Sequence, residues 1–511
     1  MAAGIFLSRV AGLFRQRVLS HALGLSVSAD AFNAAFRIPN FLQNLFGEGV
    51  LSASFIPAYA QLRAEGKEDE ARRLAGAVLG ILALFVAIMV ALGVTSAPWL
   101  VRVLAPGFRE GTRALTIQLV RILFPGVGVL VLSAWCLSVL NSHRKFFLSY
   151  AAPVIWNIAI IVATVLPGQG ARRETITVWA AWGAVIGGVL QFLVQLPTVL
   201  RMTRGLSLSF NVRDEKVGQV FANFAPAFVT RGVSQISAFI DGIIASLLPY
   251  GSVTALANAQ TLYTLPVSLF GMSIAAAELP ELAEAAVGGV AAHGALRERL
   301  ESAMRRVAFF IVPCVVAFTL LGHVVASLFF QSGRFSWADA RYVWAILAGS
   351  TFGLLAGTLG RLYTSAFYAL NDTRTPLKYA AVRVALTTIL GYLAAVKMPL
   401  VLGIAPRWGA VGLTASAGLA GWVEFAMLRN GLRQRIGKTS IPAGYLLRLW
   451  GPAVLAGGVA YLILQPIQGR YGPIPRAALV LTPFAIIYIL GASLLGVPQA
   501  RGLFDRLRKR A

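Results

Sequence analysis

Charge, cysteine and histidine are all scarce in this sequence, and each scarcity closes off a class of protein. Only 13% of the 511 residues are charged while 57% are hydrophobic. Soluble globular domains carry about 25% charged residues, so a soluble fold is excluded. The two cysteines, Cys136 and Cys314, sit in separate apolar segments and read as small buried hydrophobes rather than disulfide partners or metal ligands. His21, His143, His293 and His323 are scattered without ligand spacing, so no metal is expected. No alternation of about ten residues repeats along the chain, which excludes an outer-membrane barrel. A cleavable signal peptide is not expected either, because the N-terminal segment MAAGIFLSRV runs on into Arg15 and Arg17 without an apolar core and small-residue cleavage site.

What is abundant is apolar sequence, in runs of about 20 residues that recur from end to end. In lipid such runs satisfy their backbone groups only as helices. The expected fold is an all-α polytopic membrane protein of about fourteen spans, the first centred at about residue 12, the seventh at about residue 233 and the last at about residue 485. The net charge of +25 comes from Lys and Arg concentrated in short loops. Loops after even-numbered spans, with the C-terminal tail, hold about 26 of them, against about 10 in the loops after odd-numbered spans. That bias orients both termini to the cytoplasm and accounts for the charge without nucleic acid, for which no binding module is present. The expected location is a membrane that the chain crosses many times.

An internal repeat divides the chain. LNSHRKFFLSYAA (Leu140 to Ala152) returns as LNDTRTPLKYAA (Leu370 to Ala381), and LFG at Leu45 to Gly47 returns at Leu269 to Gly271. An offset of about 224 to 230 residues at both landmarks implies duplication. Each copy holds six spans, so the copies share one orientation and form a parallel repeat. The expected organisation is an N-terminal six-helix lobe (1–212), a C-terminal six-helix lobe (213–436), and two further spans with a basic tail (437–511). Transporters built from such repeats place substrate between the halves and alternate its access.

The second span carries the chemistry. Asp30, Asn33, Arg37, Asn40, Asn44 and Glu48 are spaced 3, 4, 3, 4 and 4 apart, a stripe of about 80° on a helix. Charge at mid-bilayer is costly and normally faces a bundle interior or an aqueous cavity. The first span adds Ser8 and Arg15 along one face, with Arg9 about 100° round from Ser8. Arg9, Arg15 and Arg37 form a cationic cluster suited to phosphate oxygens, with Asp30 and Glu48 placed to hold them when the cavity is empty. Adding an offset of 224 maps Asp30, Ala34, Arg37, Asn40 and Asn44 to Thr254, Asn258, Thr261, Thr264 and Ser268, polar but uncharged. Arg231 in the seventh span can replace the charge absent at Thr261, and Asp241 in the same span is a candidate cation or proton coupling site.

SRVAGLFR (Ser8 to Arg15), ADAFNAAFRIPNFLQNLFGEG (Ala29 to Gly49), ASFIPAY (Ala53 to Tyr59), APGF (Ala105 to Phe108) and SQIS (Ser234 to Ser237) resemble the MurJ (MviN) lipid II flippases. The resemblance implies the fold of the multidrug/oligosaccharidyl-lipid/polysaccharide exporter superfamily. It implies translocation of an undecaprenyl-pyrophosphate-linked peptidoglycan precursor from inner to outer leaflet, in cell-wall biogenesis and beside cell-wall synthesis proteins. No cofactor is implied; coupling to membrane potential, sodium or protons is. The family's cavity residues fall at Arg9, Arg15, Asp30, Arg37, Asn40 and Glu48, whereas Gln43 and Thr261 stand where well-known members have arginine. A flippase for another lipid-linked oligosaccharide, or a drug exporter of the same superfamily, is the nearest rival. The net basic charge of the first two spans favours an anionic headgroup. An enzyme would need a metal-binding carboxylate pair or a placed base and larger loops, and none is present in the sequence.

Overall fold

The computed structural model describes residues 2–46, 50–168, 170–203, 205–206, 216–220, 222, 239–286 and 293–502. Among them the chain is almost wholly helical, as its unbroken apolar runs require. In order come α1 (Ala2–Leu23), α2 (Val27–Phe46), α3 (Val50–Ala64), α4 (Glu68–Thr95), α5 (Ala97–Leu104), α6 (Glu110–Ser142), α7 (Phe146–Val165) and α8 (Arg173–Met202). A helical stretch at 239–246 precedes α9 (Ser252–Pro266), which passes through a wide π-type turn, Val267–Met272, into α10 (Ser273–Ala286). Then follow α11 (His293–Leu320), α12 (Gly322–Phe330), α13 (Trp337–Thr351), α14 (Leu354–Ala369), α15 (Arg374–Tyr392), α16 (Met398–Leu402), α17 (Gly409–Ile436), α18 (Ala443–Ile467) and α19 (Pro473–Leu494).

Ten of these helices or continuous helix runs are long and apolar enough to cross a membrane, and α13 with α14, bent by 45°, makes an eleventh. They coincide with eleven of the fourteen expected spans. The expected first and second spans are helical, but their polar residues keep them below that hydropathy. The expected seventh lies mostly outside the described residues, so a count of fourteen is not established. The outward surface fits lipid: Leu400, Val401, Leu455, Leu462 and Leu494 are all exposed.

Packing separates the chain into two compact units, residues 1–254 with 332–335, and residues 255–331 with 336–511. This is a division by contact and differs in kind from the division by duplication. In the first unit, one core gathers Phe55, Tyr59, Trp135 and Val139 of α3 and α6, and a second gathers Phe32, Phe36, Leu119, Trp156 and Ala180 across α2, α6, α7 and α8. Glycine sets the closest approach. On Gly183 and Gly187 of α8 a Cβ would fall 2.4 Å and 2.9 Å from Ala163 and Ala159 Cβ of α7, so the two helices meet almost backbone to backbone. In the second unit the last two helices pack on α11 through Ala453, Ala456 and Ala460 against Ala308, Val312 and Val316, and Tyr488 donates its hydroxyl proton to Phe309 O at 2.6 Å.

The repeated motif makes the same turn in both copies. Arg144 (φ 59°) and Asn371 (φ 58°) are the two described non-glycine residues in the left-handed region. Around them Lys145 N donates to Leu140 O, and Asp372 N to Phe367 O, closing equivalent helix ends. The two turns lie 227 residues apart (371 less 144), within the offset expected from the sequence. Asp372 then caps α15, accepting from Arg374 N and Thr375 N, both at 3.0 Å, and from Thr375 Oγ1 at 2.6 Å, while Arg435 pairs with it at 2.5 Å.

Candidate functional site

The first unit collects most of the described site residues, and helix packing decides which of them face one another. Small residues seat α1 on α7: a Cβ on Gly4 would lie 2.9 Å from Tyr150 Cβ, and one on Gly12 lies 3.9 Å from Asn157 Oδ1. Ser8 sits half-buried midway between them on the same helix face, and Arg9 is exposed. Three residues beyond Gly12, Arg15 lands on two aromatic faces, its guanidinium 5.2 Å from the ring centres of both Phe36 and Trp156. Those rings stack on each other at 5.5 Å, and Trp156 is anchored by its indole N–H to Ala184 O at 2.9 Å. Cation–π contact holds the arginine without consuming its donors, and Arg15 Nε meets no hydrogen-bond acceptor among the described residues.

One face of α2 turns toward the stretch 239–254. Asp30 is buried and accepts three hydrogen bonds, from Gly251 N at 2.5 Å, Thr254 N at 2.8 Å and Thr254 Oγ1 at 2.7 Å. Its carboxylate thus caps the first turn of α9. Asn33 extends the same network, donating to Ala29 O at 2.9 Å and Thr254 Oγ1 at 3.2 Å.

Arg37 lies one turn further on, against Gly242. A Cβ there would fall 1.1 Å from Arg37 Nη1, so the guanidinium occupies the space that a side chain would fill. Asp241 and Asp30 both lie within electrostatic range of it. Arg37 Nη2 is buried and has no acceptor among the described residues. It lines a small pocket with Ala34, Leu104, Ala105, Phe239, Ser246 and Val253, about 10 Å³ in volume, near the lower limit for one water. The APGF turn shapes this wall: a Cβ on Gly107 would meet Ser246 O at 2.2 Å, so only glycine permits the approach.

Asn40 and Asn44 fall on α2, but their side chains are not among those described, and Glu48 and Arg231 lie outside the described residues. Thr261 lies in the second unit, where its hydroxyl bonds to Ala257 O of its own helix at 2.9 Å. Three carboxylates of that unit are paired: Glu278 with Arg306, Glu281 with Arg299, and Glu424 with Arg383 at 3.2 Å. No group of three or more potential metal ligands occurs among the described residues. Gly242 and Arg334 carry no signal in the sequence. Trp156 carries one faint signal, an adjoining Asn157 that makes a polar pair inside an apolar run. Arg334 donates through Nη1 to Ala22 O at 3.2 Å and through Nη2 to Ala171 O at 3.0 Å, tying the end of α1 to the start of α8.

Comparison with known proteins bears on this arrangement. The family model described as lipid II flippase MurJ matches residues 19–482. The lipid II flippase MurJ of Burkholderia cenocepacia is 32% identical over 499 residues, which cover 94% of this chain and 93% of that one. A probable lipid II flippase MurJ of Rhizobium tropici is 29% identical over 518 residues, covering 98% and 94%. A solved lipid II flippase MurJ in an inward closed conformation superposes with a TM-score of 0.78 at 23% identity, over 96% of this chain and 98% of that one. An inward-facing multidrug resistance MATE transporter of the MOP superfamily superposes with a TM-score of 0.66 at 17% identity, over 84% and 96%, so this chain shares the fold of that transporter. With most of its length matched by the family model, and about a third of its residues shared with a full-length member, the chain belongs to the lipid II flippase MurJ family.

Proposed function

We propose that this protein is a flippase of the bacterial inner membrane, carrying lipid II from the inner to the outer leaflet by alternating access. Family membership supports the substrate, and the apolar spans support the location. One observation carries the assignment of the headgroup site. Two arginines on consecutive helices, Arg15 and Arg37, are packed against rings and against a glycine, and each has a buried N–H donor that no described residue accepts. A buried donor left unmet costs about 1–3 kcal/mol, so such donors are poised for a ligand. A pyrophosphate supplies the oxygens and the charge, with Arg9 at the exposed end of the same helix and Asn40, Asn44 and Glu48 continuing the stripe. Asp241, beside Arg37, is the group we assign to coupling with a cation, a proton or the membrane potential. Both termini face the cytoplasm in this reading, following the distribution of Lys and Arg.

The experiment is complementation of bacteria depleted of their own lipid II flippase, reading labelled lipid II in the outer leaflet. The parent chain restores translocation, Arg15→Ala abolishes it, and Arg15→Lys retains part of it because the charge remains while the planar fork is lost. Full translocation by an Arg15→Ala protein present at parental level refutes the assignment.

A further inference from the structure

A second cluster of cations lies in the second unit, at the C-terminal end of α17. Trp422, Phe425, Ala426, Arg429 and Arg433 follow one another at helical spacing on one face, so the face is aromatic first and cationic toward the helix end. With Asn430, Lys438 and Thr439 they line a half-open pocket of about 410 Å³, a size typical of small-ligand sites. We propose that this pocket binds the phosphodiester headgroup of an anionic phospholipid, with Arg429, Arg433 and Lys438 around the phosphate and Trp422 and Phe425 under the glycerol and upper acyl chain.

The floor is built rather than incidental. The bend between α13 and α14 frees the carbonyl of Phe352, and Trp422 fills that vacancy with its indole N–H at 2.8 Å. Phe425 is wedged edge-on between Trp422 at 5.7 Å and Tyr363 at 5.4 Å. Tyr363 and Thr439 share a hydrogen bond of 2.8 Å, which fixes the far wall.

The cationic rim, by contrast, is unspent. Arg429, Arg433 and Lys438 are exposed and take part in no ion pair among the described residues. Acidic groups around this end of the unit are already engaged: Asp372 with Arg435, Glu424 with Arg383, and Glu301 with Ser440 N at 3.1 Å. Arg429 and Arg433 stand one turn apart, where like charges repel, and Arg297 approaches from α11 to within 3.7 Å of where a Gly437 Cβ would sit. An anion at the rim relieves that repulsion. The order of the stripe, apolar rings within the span and cations at its end, matches the order of chain and headgroup in a phospholipid. A free phosphate would use the rim and leave the rings idle.

The test uses the full chain, purified in detergent, with retained lipids counted by native mass spectrometry during titration with phosphatidylglycerol or phosphatidylcholine. Each basic residue at a headgroup contributes about fivefold in affinity, so Arg429→Gln with Arg433→Gln weakens the tightest phosphatidylglycerol site roughly thirtyfold. The single variants show about fivefold each and carry the test should the pair not fold. A control pair of exposed arginines, Arg172→Gln with Arg173→Gln, leaves that site unchanged. Equal loss in the control pair, or none in the test pair, overturns the proposal in favour of diffuse surface attraction. Occupancy by inorganic phosphate, or by lipid II in preference to phosphatidylglycerol, overturns it in favour of a different ligand.

Discussion

Replacing Asp30 separates two roles that a buried carboxylate on a substrate-lining helix can have. It accepts from two backbone N–H groups and one hydroxyl at the start of α9. A hydrogen bond to a charged group contributes about 1.5–3 kcal/mol, so the simple sum is roughly 5–9 kcal/mol. The three bonds share one carboxylate and the freed donors recover some hydration, so the sum is an upper bound. Loss of an ordinary helix cap costs about 0.5–2 kcal/mol and sets the floor. Asp30→Ala is therefore expected to cost about 3–5 kcal/mol. Asp30→Asn keeps one acceptor oxygen but turns an amide toward the other donors, and should cost about half as much. Unfolding by denaturant in mild detergent, followed by the loss of helix signal, measures both. The reasoning is refuted if Asp30→Ala unfolds within about 0.5 kcal/mol of the parent. Should that variant also stop translocating while remaining stable, the carboxylate serves the substrate and not the cap.

Other perturbations test neighbouring parts of the argument. Gly242→Ala places a methyl group where Arg37 Nη1 now sits, so it should lower lipid II translocation as much as Arg37→Ala does, measured at equal membrane abundance. Gly187→Val forces α8 away from Trp156, whose Cα would lie 3.0 Å from the new Cβ, at a cost of about 1–3 kcal/mol in a thermal melt. Because Trp156 carries Arg15, the same variant should lose translocation before it loses its fold. Asp372→Ala removes the cap of α15 and should cost about 1 kcal/mol near neutral pH. Hydrogen bonds from the side chain and then the backbone of Thr375 hold the Asp372 carboxyl down at about 2 against an ordinary 3.8. That stabilisation is therefore complete above about pH 4 and fades as the pH falls toward 2, so the gap between variant and parent should close over that window.

The parts of this protein that were legible in its sequence are those set by local rules. Apolar length picks out eleven spans because the bilayer demands one length of helix, and of the described stripe residues on α2 Asp30 is buried while Asn33 and Arg37 are half-buried. The repeated motif marks a duplication, and its two copies make the same turn. The role of each stripe residue was less legible, because a role depends on the element opposite. The stripe makes Asp30 a counter-charge for nearby arginines, and Arg37 is within its electrostatic range; its hydrogen-bonding partners, though, are Gly251 and Thr254, more than 220 positions away in sequence. The sequence marks Arg15 only as a cation suited to phosphate, whereas its ring seat on Trp156 depends on α7 and α8 meeting at Gly183 and Gly187. Adding the repeat offset to Asp30 lands on Thr254, the residue that donates two of its hydrogen bonds. Thr254 is therefore Asp30's own counterpart in the second copy, and its hydroxyl donates to the Asp30 carboxylate where a second acid would repel it. The charge asymmetry between the copies is thus already used within the first unit, before any substrate arrives.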